Sequence, residues 1–225
     1  MTGLITTCVL MKDHLKRIWS PDLSEPVLAQ SLPERLFLSL LVLTTFFSAR
    51  GAFTRWSFGI VSGTDLYHLF LAVGLFAASL ASQLPPWLAL AVLMYVVYEV
   101  ISWSLFDLFV LVRFPDLQGI RTPVRSFIWG AYCYGIVIWA YGLYFWSSGQ
   151  VLDSTDKPLP SGLAGVYFSA ITIATVGYGD YSPAKKERVL QLVVATEPFI
   201  GLVIVGVYLA FLVSVHASAS SKTFR

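Results

Sequence analysis

Thr175-Val176-Gly177-Tyr178-Gly179-Asp180 is a hexapeptide whose residue types could do chemistry without any reactive side chain. Two glycines separated by one residue let the backbone take φ > 0 without a Cβ penalty. A strand of alternating handedness turns successive carbonyls the same way. The carbonyls of Thr175, Val176, Gly177 and Tyr178 then form a ladder of oxygens, and the Thr175 hydroxyl adds a rung at the inner end. One strand cannot surround an ion. Four copies about an axis can, replacing the water shell of a dehydrated cation. Val176 and Tyr178 are expected to turn outward and pack against the preceding helix and its aromatics, Tyr167 and Phe168, which hold the width of the ring.

Several elements must position such a ladder. Before it lies an apolar stretch, 161–174, too short to cross a bilayer, with Ser161 placed to cap a helix. The negative end of that helix, at Ala174, would favour a cation. After the ladder comes a long apolar run, 188–216, and before the short helix comes another, 123–146, opened by Thr122-Pro123 as cap and first helical position. Residues 147–160 are polar and turn-rich. Two further runs, 65–84 and 86–112, also reach the roughly 20 apolar residues that a crossing needs. A sixth segment, 34–50, contains a short apolar core at 36–47 and reads as a thin span, an interfacial helix or a re-entrant piece.

Composition agrees with a chain built for lipid. Hydrophobic residues make up 56% and charged residues only 12%, about half the charge of an ordinary globular protein, and mean hydropathy is +0.72. Fifteen Lys+Arg against thirteen Asp+Glu leave +2, too little for a partner held by counterion release, so no nucleic acid is expected. Cys8 and Cys133 have no metal-ligand spacing, and Cys133 reads as a buried packing thiol. The fold class is an all-α membrane protein. Its expected parts are an N-terminal cytoplasmic or interfacial segment (1–33), two or three N-terminal membrane helices (34–112), a cytoplasmic linker (113–122), a pore domain (123–217) and a short cytoplasmic tail (218–225).

Order and motif together resemble the potassium-channel pore family over about 123–216: outer helix, turret, pore helix, TVGYGD filter, inner helix. The resemblance implies a homotetramer, with four pore loops making one K+-selective filter. It also implies passive conduction rather than an enzyme, and K+ as permeant ligand bound by residues 175–178, with no chemical cofactor. Two departures stand out. Many relatives have a threonine where this chain has Ala174. Some carry a pore-helix carboxylate that bonds the aspartate after the filter, where this chain has Ile171. Asp180 is therefore expected to find water or outer-helix aromatics instead.

Glu197, Pro198 and Gly201 are the gating or cavity candidates. Proline removes a helix hydrogen bond, so Pro198 and Gly201 suit a hinge or a close helix contact. An ionisable residue at membrane depth is costly and often functional. Glu197 either faces the cavity or sits behind the filter, bonded to backbone or pore helix, and the second is favoured. Asp107, close to the cytoplasmic end, is expected to pair with Arg113 or Arg121, while the deeper Glu99 reads as bonded to Tyr, Ser or Trp groups of a neighbouring helix, or as a proton site.

No Lys or Arg occurs from Trp56 to Val112, which argues against a voltage sensor, since a sensor moves several arginines through the field. Arginines at 50, 55, 113, 121 and 125, with Lys222 and Arg225, fall on one side of alternating helices. That side is expected to be the cytoplasm, with the C-terminus there and the protein in the plasma membrane among lipids. The alternatives are a weakly selective monovalent cation channel and a K+ transporter subunit. A separate regulatory subunit is a further possible partner.

Overall fold

The computed structural model describes residues 15, 18–19, 32–46, 57–58, 61–81, 83–106, 109 and 123–223. The 113–122 linker, Arg50, Arg55, Asp107, Cys8 and most of 1–33 lie outside the described residues. The chain divides into two compact units, Met1–Phe70 with Ser102–Gly119, and Leu71–Ile101 with Ile120–Arg225.

In the first unit, α1 (Leu32–Phe46) has 15 residues and rises only about 22 Å at roughly 1.5 Å per residue. Its apolar part, Arg35–Thr44, is short for a crossing. Leu38, Leu41 and Val42 are buried in one cluster with Ile18 and Phe106, and Trp19 Nε1 donates to Ser39 Oγ at 2.9 Å. Two-residue strands β1 (Ser57–Phe58) and β2 (Val61–Ser62) pair antiparallel.

The remaining elements run α2 (Gly63–Ala81), α3 (Pro86–Phe106), α4 (Pro123–Ser148), β3 (Val151–Asp153), α5 (Gly162–Ile173), β4 (Tyr181–Pro183) and α6 (Arg188–Thr223). Three described stretches are long and apolar enough to cross a membrane: Pro86–Phe106, Phe127–Ser148 and Arg188–Ala210. The expected crossing at 65–84 is a 19-residue helix whose apolar run, Leu66–Ala81, is shorter than those three. The described residues are mostly helical, and the fold is that of an all-α membrane protein.

Helix boundaries follow local chemistry. Pro86 opens α3 where its missing N–H costs nothing, and the Pro85 carbonyl accepts from Leu88 and Ala89 N–H at 2.9 and 3.1 Å. Pro123 opens α4 in the same way. At the far end the helix stops at Ser148, two residues beyond the expected Trp146, where Gly149 stands at φ 63. Ser161 Oγ accepts from Ala164 N–H at 3.2 Å, the expected cap of α5. α6 is unbroken through Pro198 and continues to Thr223, past the expected end at His216. The HASASSKT stretch contains no glycine or proline to stop it.

Around α4 lies the main core. Val137, Ala140 and Phe145 are completely buried there, in one cluster with Ala89, Leu93 and Val96 of α3, Phe168 and Ile173 of α5, and Ile204 of α6. Cys133 is a buried free thiol in the same cluster, and Tyr208 Oη donates to its Sγ at 3.7 Å.

Candidate functional site

The TVGYGD segment is suspended between two anchors. On its inner side, α5 ends at Ile173, and the last carbonyls of the helix capture the first amides of the loop. Thr172 O accepts from Thr175 N–H at 2.9 Å, while Ile171 O accepts from Val176 and Gly177 N–H at 2.9 and 3.3 Å. These are helix-end carbonyls that would otherwise lack partners.

The second anchor is a small antiparallel sheet that sequence reading took for plain turns. β3 in the turret pairs with β4 immediately after the loop, with Val151 opposite Pro183, Leu152 opposite Ser182 and Asp153 opposite Tyr181. Ala184 N–H adds a bond to Gln150 O at 2.8 Å. The turret is itself ordered by Asp153, whose Oδ1 accepts from Thr155 N–H (2.7 Å), Thr155 Oγ1 (2.8 Å) and Lys157 N–H (3.0 Å). These bonds, led by the Lys157 amide, hold the Asp153 carboxyl below its ordinary value of 3.8.

Between the anchors the backbone alternates in handedness. Thr175, Gly177 and Gly179 stand at φ 57, 54 and 80, and Val176 and Tyr178 between them do not share the positive φ. Glycine reaches this region freely, whereas a β-branched residue such as Thr175 is an outlier there and is held by its surroundings. All residues from Ala174 to Asp180 are exposed in the single chain. Val176 is 50% and Tyr178 73% exposed, so their side chains are not covered by their own pore helix.

The two aromatics expected to support the loop part company. Tyr167 faces outward with its hydroxyl beside Asp180 and its ring 6.3 Å from that of Tyr181. Within the chain, the side chain beside Asp180 is thus a pore-helix tyrosine. Phe168 turns the other way, 4% exposed, and meets Phe145 of α4 edge-on at 5.1 Å. Its support of the loop passes through the α4–α5 seam. There Gly142 and Gly165 bring the helix backbones together, and a Cβ on Gly142 would stand 2.6 Å from Val166 Cα.

Of the candidates on α6, Glu197 is completely buried behind the pore helix. Ser169 Oγ donates to its Oε1. Sequence alone gives no sign that Ser169 is its partner. The preceding residue, Thr196, donates its hydroxyl to Val193 O at 2.7 Å, so the Tyr141 hydroxyl of α4, 3.0 Å away, must be the donor to Thr196 Oγ1. Gly201 packs against Ile173. Glu99 is buried at 2% exposure in α3.

Contact with α2 was also unforeseen. Ser79 accepts from Trp139 Nε1 at 3.2 Å, and its carbonyl lies where a Cβ on Gly162, the first residue of α5, would have to be. Gln83 Nε2 donates to Trp146 O at 3.3 Å. The end of α2 and the Pro85-Pro86 turn therefore sit with the end of the outer helix and the start of the pore helix.

Residues 132–217 match a family described as Ion channel. No curated protein and no solved structure matches the chain. The matched stretch takes in most of α4, the turret, α5, the alternating loop and most of α6, and over residues 132–217 this integral membrane protein is similar to that ion-channel family.

Proposed function

We propose that the chain forms a homotetrameric, potassium-selective channel that conducts passively. The reading is carried by the alternation of backbone handedness at 175, 177 and 179. That backbone form lets successive peptide carbonyls face one axis. Four such strands supply rings of oxygen that replace the hydration shell of a permeating K+. Thr175, Val176, Gly177 and Tyr178 offer carbonyl oxygens, the Thr175 hydroxyl adds the innermost ligand, and Gly179 completes the alternation. The C-terminal end of α5, carrying about half a negative charge, favours the cation below the rings.

The uncovered surface supports assembly. Only 22% of the most apolar stretch of α6 is buried within the chain, against 50% for α4. Leu192, Phe199, Leu202 and Leu209 are all exposed. An inner helix lining a shared axis and touching neighbouring copies has this distribution. The absence of Lys and Arg between Trp56 and Val112 supports a channel without steep voltage gating. The excess of arginine on one side supports an orientation with the C-terminus in the cytoplasm, and the plasma membrane is the proposed location.

Purified protein in liposomes tests the reading. A K+/Na+ gradient should give a reversal potential near that of K+, from particles of four subunits. A reversal potential near zero in the same gradient would point to a weakly selective cation channel, and a single-chain particle would remove the pore altogether.

A further inference from the structure

Between α2 and α4 runs a slot of about 370 Å3, lined by eight residues, four from each helix. Leu75 and Ile136 in its lining are buried, whereas Val73 and Phe76 are exposed, so the slot opens on the surface of the chain. At one end the two helices are tied. Trp139 Nε1 donates to Ser79 Oγ at 3.2 Å, and the rings of Phe76 and Trp139 stand 5.6 Å apart. Gly135 lies one turn back along α4, and a Cβ built there would meet nothing within 4 Å. The wall is therefore set back at Gly135. Tyr132 lies a further turn away, stacked on Trp129 at 5.2 Å.

Depth and chemistry decide what can enter. The crossing stretch of α4 starts at Phe127, so the wall at 132–139 lies about 8 to 18 Å along it at roughly 1.5 Å per residue. A hydrocarbon core about 30 Å thick has its centre in that interval. The facing wall, 72–76, falls in the middle of the apolar helix Leu66–Ala81. The walls present almost no polar surface, and the Trp139 N–H is already taken by Ser79. Water needs two to four polar partners and is refused such a place.

Two apolar occupants reach this depth, an acyl chain and a helix of another copy. A stable protein interface engages about 20–30 residues a side, against eight from both walls together here. Helices also meet in lipid through small residues that let their backbones approach. Of the lining residues only Ala72 and Gly135 are small, while Leu75, Phe76, Ile136 and Trp139 hold a partner backbone off. An acyl chain is narrow and asks for no hydrogen bond. An apolar cavity of about 150 Å3 already takes up benzene, so this larger one holds a run of methylenes. The tail leaves other tails rather than water, so its gain is dispersion contact with walls on two sides.

We propose that the slot between 72–76 of α2 and 132–139 of α4 binds one acyl chain of a membrane phospholipid. The chain enters from the leaflet on the Phe127 side and ends against the Phe76–Trp139 pair. It completes the packing between α2 and the outer helix, and the site stands whether or not the protein conducts K+.

Full-length protein reconstituted with a phosphatidylcholine carrying a photoreactive diazirine at the end of one acyl chain tests the site. After irradiation, peptide mapping should place adducts on Phe76, Gly135 and Trp139 severalfold above those on Phe127 and Ile128. Those two are 63% and 62% exposed and meet any passing lipid. Gly135→Leu fills the slot from one wall and Ala72→Leu from the other. Each should remove the slot adducts and leave those at 127 and 128 unchanged. The wild-type comparison needs no variant: slot labelling no higher than at Phe127 and Ile128 would overturn the site. Slot labelling that survives in a filled variant of wild-type particle size would do the same. Cross-links between copies through residues 73 or 135, formed by a bifunctional reagent, would give the slot to a second copy and overturn the lipid assignment.

Discussion

Gly165 of the pore helix lies so close to the Gly142 carbonyl of the outer helix that a methyl group at 165 would occupy the position of that oxygen. Backbone meets backbone here, and the loop inherits its position from the contact. Gly165→Ala must force α4 and α5 apart, and overpacking of this kind costs about 1–3 kcal/mol per chain. The purified particle should melt at lower temperature in a detergent thermal-stability assay. A melting temperature equal to wild type would contradict the close contact.

Gly177 and Gly179 stand at φ 54 and 80, and an L-residue in the left-handed region costs roughly 1–2 kcal/mol. Nothing lies within 4 Å of a Cβ built at either position. The penalty is therefore conformational rather than a clash within the chain. Gly177→Ala should abolish ion flux while leaving helix content and assembly intact. Flux assays on liposomes containing particles of normal size would check this, and wild-type flux would refute it.

The Tyr167 hydroxyl stands beside Asp180, where Ile171 offers no polar group. Tyr167→Phe removes only that hydroxyl, a change of about 1 kcal/mol if it bonds the carboxylate. The decay of current during a sustained pulse should change by several-fold on that basis, while the K+/Na+ reversal potential holds. Ile171→Glu, which places a carboxyl one helical turn from Tyr167, should also alter the decay. Identical decay in wild type and both variants would leave Asp180 without influence on the loop.

Asp153 titrates in favour of an ordered turret. Its carboxyl is held below 3.8 by the Lys157 and Thr155 bonds, so the folded form gains when the group is ionised. That contribution is complete above the ordinary carboxylate range and is lost as pH falls through the lowered folded value. Asp153→Asn should loosen the 153–157 turn at neutral pH, seen as faster amide exchange at Thr155 and Lys157. An NMR titration of Asp153 with a midpoint at or above 3.8 would overturn the assignment.

What the sequence reveals follows from how local each cause is. Whereas the positive φ of Thr175 is imposed by its surroundings, that of Gly177 and Gly179 is legible because it suits glycine itself. The Ser161 cap and the proline starts of α3 and α4 are legible for the same reason. The orientation of Phe168 is not, because α5 is apolar on every side and no polar face indicates which aromatic turns to α4. β3 and β4, at three residues each, are too short for alternation to register. Glu197 could be placed behind the loop because an ionisable group at that depth needs a partner, but Ser169 lies 28 residues away in sequence. Its choice depends on the approach of two helices. The overrun of α6 to Thr223 has a simpler origin, since alanine, serine and lysine do not terminate a helix firmly.

The sheet beside the loop gives the protein an external handle. Asp153 stands opposite Tyr181, two residues after Gly179, while Ser154 to Lys157 project to the surface. On the proposed channel reading, an antibody fragment or a cross-linker that grips this knuckle would pull on the backbone at the outer end of the loop without entering the conduction path. Occlusion and allosteric strangulation would then be separable by where a blocker binds.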